Sequence, residues 1–166
     1  STPLCIDPKG NEGLNPQKTE PTNPLYSLDK QQSSLVYYDK NTIVLTMPYW
    51  VKVTNSSVED SEVKKHSFVL SYDPEAMTAS DTKLKLYISH VVEDAGETVT
   101  RSNFTYAYRA YSIRAALAAF KEKTGKLPKY LELTAEINNS KDELVDKDGK
   151  ETSVERSVEY DYAFTE

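Results

Sequence analysis

Residues 63–73 and 83–93 alternate apolar and polar side chains with a period of two, and both keep their apolar residues at even positions. Phe68, Leu70 and Tyr72 fall on one face of the first stretch, and Leu84, Leu86 and Ile88 on one face of the second. A period of two suits a strand with one face on a core and does not suit a helix, whose apolar stripe recurs every three or four residues. Paired antiparallel across the segment between them, the two stretches bring Tyr72 against Leu84, Leu70 against Leu86 and Phe68 against Ile88. His66 then lies opposite His90.

The same reading extends over most of the chain. Residues 42–54 alternate, with Ile43, Leu45, Met47, Tyr49, Val51 and Val53 on one side and Trp50 on the other. Pro48 removes a ladder donor, which predicts an edge or bulged strand. Residues 98–111 alternate as Phe104, Tyr106 and Tyr108, and pair most simply with residues 83–93, placing Tyr106 opposite Leu86. Asp73-Pro74 predicts a short helical turn, with the aspartate as cap. Ile113, Ala116, Leu117 and Phe120 follow helical spacing behind Ser112, a candidate cap, and Gly125 ends that helix, which spans about residues 112–124. Asp148-Gly149 is a hairpin signal joining residues 130–139 to 154–164. With a two-residue loop there, Leu133 faces Phe164, Ala135 faces Tyr162 and Ile137 faces Tyr160. These elements predict an all-β antiparallel sandwich of about six to eight strands with one crossover helix.

Five of the eight prolines fall in the first 30 residues: Pro3, Pro8, Pro16, Pro21 and Pro24. Proline fixes φ and lacks an N–H, so residues 1–34 read as a tether or linker ahead of a sandwich domain at 35–166. A net charge of −6 and the absence of a Lys/Arg stripe argue against nucleic-acid binding. No apolar run reaches the ~18–20 residues of a membrane span. The single cysteine, Cys5, excludes an internal disulfide and a multi-thiolate metal site. Cys5 is a candidate lipid-anchor residue, although Thr2-Pro3-Leu4 lacks the small residue such processing favours just before the cysteine.

Three constellations could carry chemistry. His66 and His90 could hold a divalent metal or respond to pH near 6.5. A catalytic zinc needs three protein ligands, and the pattern fixes no third; packed histidines at the rim of an apolar face are the plainer reading. The stretch from Leu144 to Gly149 with Glu155 echoes a calcium loop, but Leu144 cannot coordinate and the flanks read as strands. Glu132, Glu136, Glu159 and Asp161 alternate outward on two strands, as the acid and base of a glycosidase could, or as the wet face of a sheet. No phosphate loop, nucleophile elbow or Cys/His dyad is present. No enzyme activity and no cofactor are expected. Tyr49, Trp50, Tyr106, Tyr108 and Tyr111 are the candidate binding aromatics, since clustered exposed rings mark recognition surfaces.

The run from His66-Ser-Phe-Val-Leu-Ser-Tyr-Asp to Pro74, then Leu84-Lys-Leu-Tyr-Ile-Ser-His90, an aromatic strand, a capped helix and a Tyr-rich last strand resemble the C-terminal β-sandwich domain of NigD-like proteins. These are exported, usually lipid-anchored proteins of Bacteroidetes, and the resemblance covers about residues 40–166. It implies an extracytoplasmic, cell-envelope location and a non-enzymatic role in binding a protein or glycan. Two alternatives stand beside it. One is a subunit of a surface polymer that uses residues 42–54 as an edge for strand addition. The other is a metal-dependent enzyme built on His66 and His90.

Overall fold

The computed structural model describes residues 18–140, the backbone of Leu144–Val145, and residues 153–165. Two sheets pack face to face. One has the order β1 (Ser34–Asp39), β2 (Thr42–Val51), β6 (Asn103–Ser112). The other has the order β3 (His66–Ser71), β4 (Lys83–Val92), β7 (Tyr130–Ile137), β9 (Val154–Asp161). A two-residue strand β5 (Thr100–Arg101) pairs with β8 (Leu144–Val145) beside them. The fold is the all-β sandwich with one substantial helix that the alternation predicts.

Parity survives on β2, β3, β4, β7 and β9 but is inverted on β6, whose Phe104, Tyr106 and Tyr108 face outward while Ala107 and Tyr111 face the core. Register survives in neither of the predicted hairpins. Phe68 lies opposite His90 and His66 opposite Val92, a shift of two residues from the predicted pairing. The connection between β3 and β4 absorbs the difference. It holds the expected turn, Pro74–Ala76, where the Asp73 carboxylate accepts the Glu75 N–H at 3.0 Å, and a second turn where Asp81 accepts from Thr78. A shift of two keeps each side chain on its face. The last pair slips further: Leu133 faces Val158 and Ile137 faces Val154. Asp148-Gly149, which was to set that register, lies outside the described residues.

Two strand placements differ from expectation. β6 pairs with β2 across its full length, from Thr42 opposite Ser112 to Val51 opposite Asn103, and not with β4. Its inner residues Ala107 and Tyr111 face the second sheet, where the Tyr111 hydroxyl donates to the Phe68 carbonyl at 2.5 Å. The partner of β4 is instead β7, in parallel, reached through β6 and the helix; this is the one parallel pair among the described strands. β2 is consequently central rather than an edge. It has β1 on one side up to Thr46 and, further along, Leu25 bridged to Tyr49, so Pro48 needs no donor there and its carbonyl accepts from Tyr26 at 3.0 Å. Residues 42–54 therefore offer no free edge for strand addition.

The helix α2 (Arg114–Thr124) starts one residue later than Ser112 predicts. Its cap position is Ile113, and the Ser112 hydroxyl reaches the Arg114 N–H only at 3.5 Å. Gly125 ends it with φ of 80°, the left-handed conformation that glycine adopts without a Cβ penalty. Ile113, Ala116, Leu117 and Phe120 are buried, closing the end of the sandwich where β6 ends and β7 begins.

The described part of the Pro-rich lead belongs to the body rather than to a tether. β7 leaves β4 after Ile88 opposite Ala135, and residues 19–25 take the vacated place. Leu25 donates to the Glu136 carbonyl and accepts from the Asn138 N–H, both at 2.9 Å, and is fully buried. Prolines fit this strap because Pro24 serves it through its carbonyl, not through the missing N–H. Leu25→Ala should therefore destabilise the protein by about 2–5 kcal/mol, the cost of a core leucine. Urea unfolding would measure it, and a loss under about 0.5 kcal/mol would mean that the strap is not part of the cooperative fold.

Candidate functional site

The histidines meet at the end of the sandwich opposite α2. Even positions on β3 and β4 face the interior, so His66 and His90 project inward beside Tyr49 of β2. His66 Nδ1 and His90 Nε2 are 2.8 Å apart. His66 Nε2 lies 3.1 Å from Glu62 Oε2, which comes from the single-turn helix α1 (Asp60–Val63) four residues earlier. His90 Nδ1 is 3.0 Å from the Pro24 carbonyl oxygen and donates to it.

Sequence reasoning missed the charged half of this cluster. Arg101 is only 1% exposed. Its Nε and Nη2 donate to Glu62 at 3.0 and 3.2 Å, and its Nη1 and Nη2 donate to Asp94 at 3.0 and 2.6 Å. Glu62 also accepts the Lys52 backbone N–H at 2.7 Å. A guanidinium forked onto carboxylates on both sides is the geometry in which charge-assisted hydrogen bonds are strongest. The spacing of Glu62 and His66 was the available signal for half of it; nothing in Thr100-Arg101-Ser102 marks Arg101.

Protonation follows from these contacts. Burial works to raise the Glu62 carboxyl, but hydrogen bonds from His66, Arg101 and the Lys52 amide outweigh it and hold the group well below the usual carboxylate range. Burial opposes charge on Arg101 too, and Asp94 and Glu62 more than restore it. Burial pushes His66 below 6.5 against the pull of Glu62, and pushes His90, next to His66, well below that value.

A zinc ion does not fit between these rings. Zn–N bonds of about 2.0–2.1 Å in a tetrahedral site separate two nitrogens by more than the 2.8 Å found here. The outer ring nitrogens are engaged by Glu62 and by Pro24. Among the described residues no group of three or more His, Cys, Asp or Glu could hold a metal ion. The outward carboxylates also have a simpler role: Glu159 and Glu132 flank the Lys83 ammonium at 2.8 and 3.7 Å. The calcium-like stretch lies largely outside the described residues.

The candidate aromatics divide by exposure. Tyr49 and Tyr111 face the core and are buried. Trp50 does point to the opposite face, but Tyr26 covers it edge-on and its indole N–H donates to the Asn138 carbonyl at 2.7 Å. Burial removes these three from any contact surface. Tyr106 and Tyr108 remain, 39% and 56% exposed, on the outer face of β6. Phe104 joins them, stacked on Tyr26 and edge-on to Tyr106, with ring centroids 4.1 and 5.9 Å away. Val36 of β1 lies exposed on the same face of the sheet, two strands away.

No family model matches the chain, and no curated protein matches it. A solved structure does. The chain is similar to a Bacteroides fragilis protein described as a "putative lipoprotein", at 26% identity and a TM-score of 0.71. The likeness covers 92% of this chain and 69% of that one. No helix among the described residues is long and apolar enough to cross a membrane.

The cluster sets a clear expectation for stability. Glu62→Gln should cost about 3–5 kcal/mol at pH 7, because it leaves Arg101 buried with one carboxylate. Glu62 is depressed from about 4.5 and the histidines from 6.5, so all three contribute stability that is present above those values and lost as pH falls. Urea unfolding across pH 4–8 should show a plateau above about 6.5 and a decline below it; a rise on acidification would contradict this ion-pair account.

Proposed function

We propose that the chain is a non-enzymatic, extracytoplasmic module of the cell envelope, related to NigD-like lipoproteins, that binds a protein or glycan through the outer face of β6. The observation that carries this reading is the row Phe104, Tyr106 and Tyr108, exposed side by side on the outer face of β6. Such rings supply contact area at low conformational cost, and clustered aromatics dominate binding energy where they are desolvated. The likeness to a Bacteroides lipoprotein supports the location. The non-enzymatic reading is supported by the polar cluster, whose groups are spent on one another.

The test is a binding screen of the protein against envelope polysaccharides and exported proteins, followed by titration with Tyr106→Ala and Tyr108→Ala. Each substitution should weaken the partner's affinity about tenfold or more, the hot-spot range, while changing unfolding stability by less than about 1 kcal/mol. Binding that is unaffected by both substitutions would overturn the assignment of this face.

A further inference from the structure

We propose that a cavity on the outer face of the four-stranded sheet binds a small acid, an apolar body carrying one anionic head. The cavity has a volume of about 260 Å³ and lies between the β3–β4 connection and the outward side chains of β4. Even positions of β3 and β4 face the core, so Ser71, Lys85 and Tyr87 are directed outward, toward it. The Pro74–Ala76 turn sets Met77 and Tyr72 against it, and its walls are mostly apolar. Concave apolar sites with a few convergent polar groups are where small molecules bind, and a volume below about 300 Å³ suits one smaller than a drug. Phe104, Tyr106 and Tyr108 belong to the other sheet, so this site is independent of the proposed contact surface on β6.

Two hydroxyls at the cavity have protons to give. The Tyr87 hydroxyl is shut off from solvent and has no hydrogen-bond partner among the described residues. The Lys18 ammonium lies over the same ring, 4.2 Å from its centroid. An ammonium only donates, so it offers the phenolic proton no acceptor. Ser71 is 1% exposed, and its hydroxyl reaches the Tyr87 carbonyl only at 3.5 Å, the far limit of a hydrogen bond. A buried donor with no acceptor in the chain is the kind of group that a ligand satisfies. An anionic oxygen beside Tyr87 would answer the phenol and the ammonium together.

Charge selects the head group. Three lysines and two aspartates border the cavity. Lys83 is matched by Glu132 and Glu159. Asp73 accepts the Glu75 N–H, and both oxygens of Asp81 accept from Thr78. Lys18 and Lys85 form no ion pair among the described residues, and Glu20 and Glu155 act on Lys18 only from a distance. Two unmatched ammonium groups beside an unmatched phenol favour an anion over a cation, and charge-assisted hydrogen bonds to such a head are the strong ones. Met77, Tyr72 and the Tyr87 ring supply the surface for the apolar body; a bare inorganic anion would leave it wet.

Isothermal titration of the full chain with 3-phenylpropionate, hexanoate and phenyl phosphate tests this, with 3-phenylpropanamide as the uncharged control. At least one of the three acids should bind at a single site, about tenfold or more tighter than the amide. Tyr87→Phe and Lys18→Met should each weaken that acid about tenfold. Tyr87→Phe should also leave the urea-unfolding midpoint of the free protein unchanged or raised, since the hydroxyl it removes satisfies nothing in the fold. Tighter binding of phenyl phosphate than of the two carboxylates would support the proposal and assign the head to a phosphoester. No binding by any of the three acids would overturn it, as would equal affinity for the amide or binding that both variants leave intact. A lowered midpoint in Tyr87→Phe would overturn it too, by showing that the hydroxyl is spent inside the fold.

Discussion

A guanidinium withdrawn from water is the constraint around which one end of this sandwich is organised. Arg101 is buried, and its charge is tolerable there only because Glu62 and Asp94 grip it from both sides. Glu62 in turn is held by the Lys52 amide and by His66, and His66 by His90. Because each group completes the hydrogen bonding of the next, the segment after β2, the helical turn α1 and β5 are tied to the β3–β4 ladder through side chains. Removing one member strands a charge; that asymmetry makes the cluster rigid even though an ion pair of this kind adds little net stability over an apolar plug.

The two open ends of the sandwich are thus closed in opposite ways. At one, α2 lays Ile113, Ala116, Leu117 and Phe120 over the core, a non-directional closure that depends on area and shape. At the other, the closure is polar, directional and sensitive to proton activity, and the strap carrying Leu25 lies over it. The exposed aromatic row on β6 continues from Trp50 and Tyr26, which belong to this same end. Stability, pH response and the proposed contact surface are consequently neighbours in space although their residues come from distant parts of the chain.

Side-chain parity was legible because it is local: alternation alone assigns Phe68, Leu70, Leu84, Leu86 and Ile88 to the interior. Register was not, because shifts of two or six residues leave every face unchanged and are decided by turns that alternation does not describe. The placement of β6 beside β2 was hidden for a related reason. Its alternation offers Phe104, Tyr106 and Tyr108 on one face and Ala107 and Tyr111 on the other, so the larger aromatic row was read as the inner face when it is the outer one, and the crossover through α2 that sets its sheet is not a local feature. The strap was misread from composition: prolines exclude a ladder strand that needs each N–H, but not a segment bound through carbonyls and its non-proline neighbours. Glu62 and Arg101 were hidden by ordinary surroundings, the first in a run of charged residues and the second between threonine and serine, where solvated charge is the usual outcome.

The most direct test of this account is a double-mutant cycle of Glu62→Leu and Arg101→Met, measured by urea unfolding at pH 7. If the two charges are buried for each other, the double variant will be less destabilised than the sum of the single ones, with a coupling of about 1–3 kcal/mol. Additive effects within about 0.5 kcal/mol would show that the charges do not depend on one another in the folded protein, and the polar closure described here would be wrong.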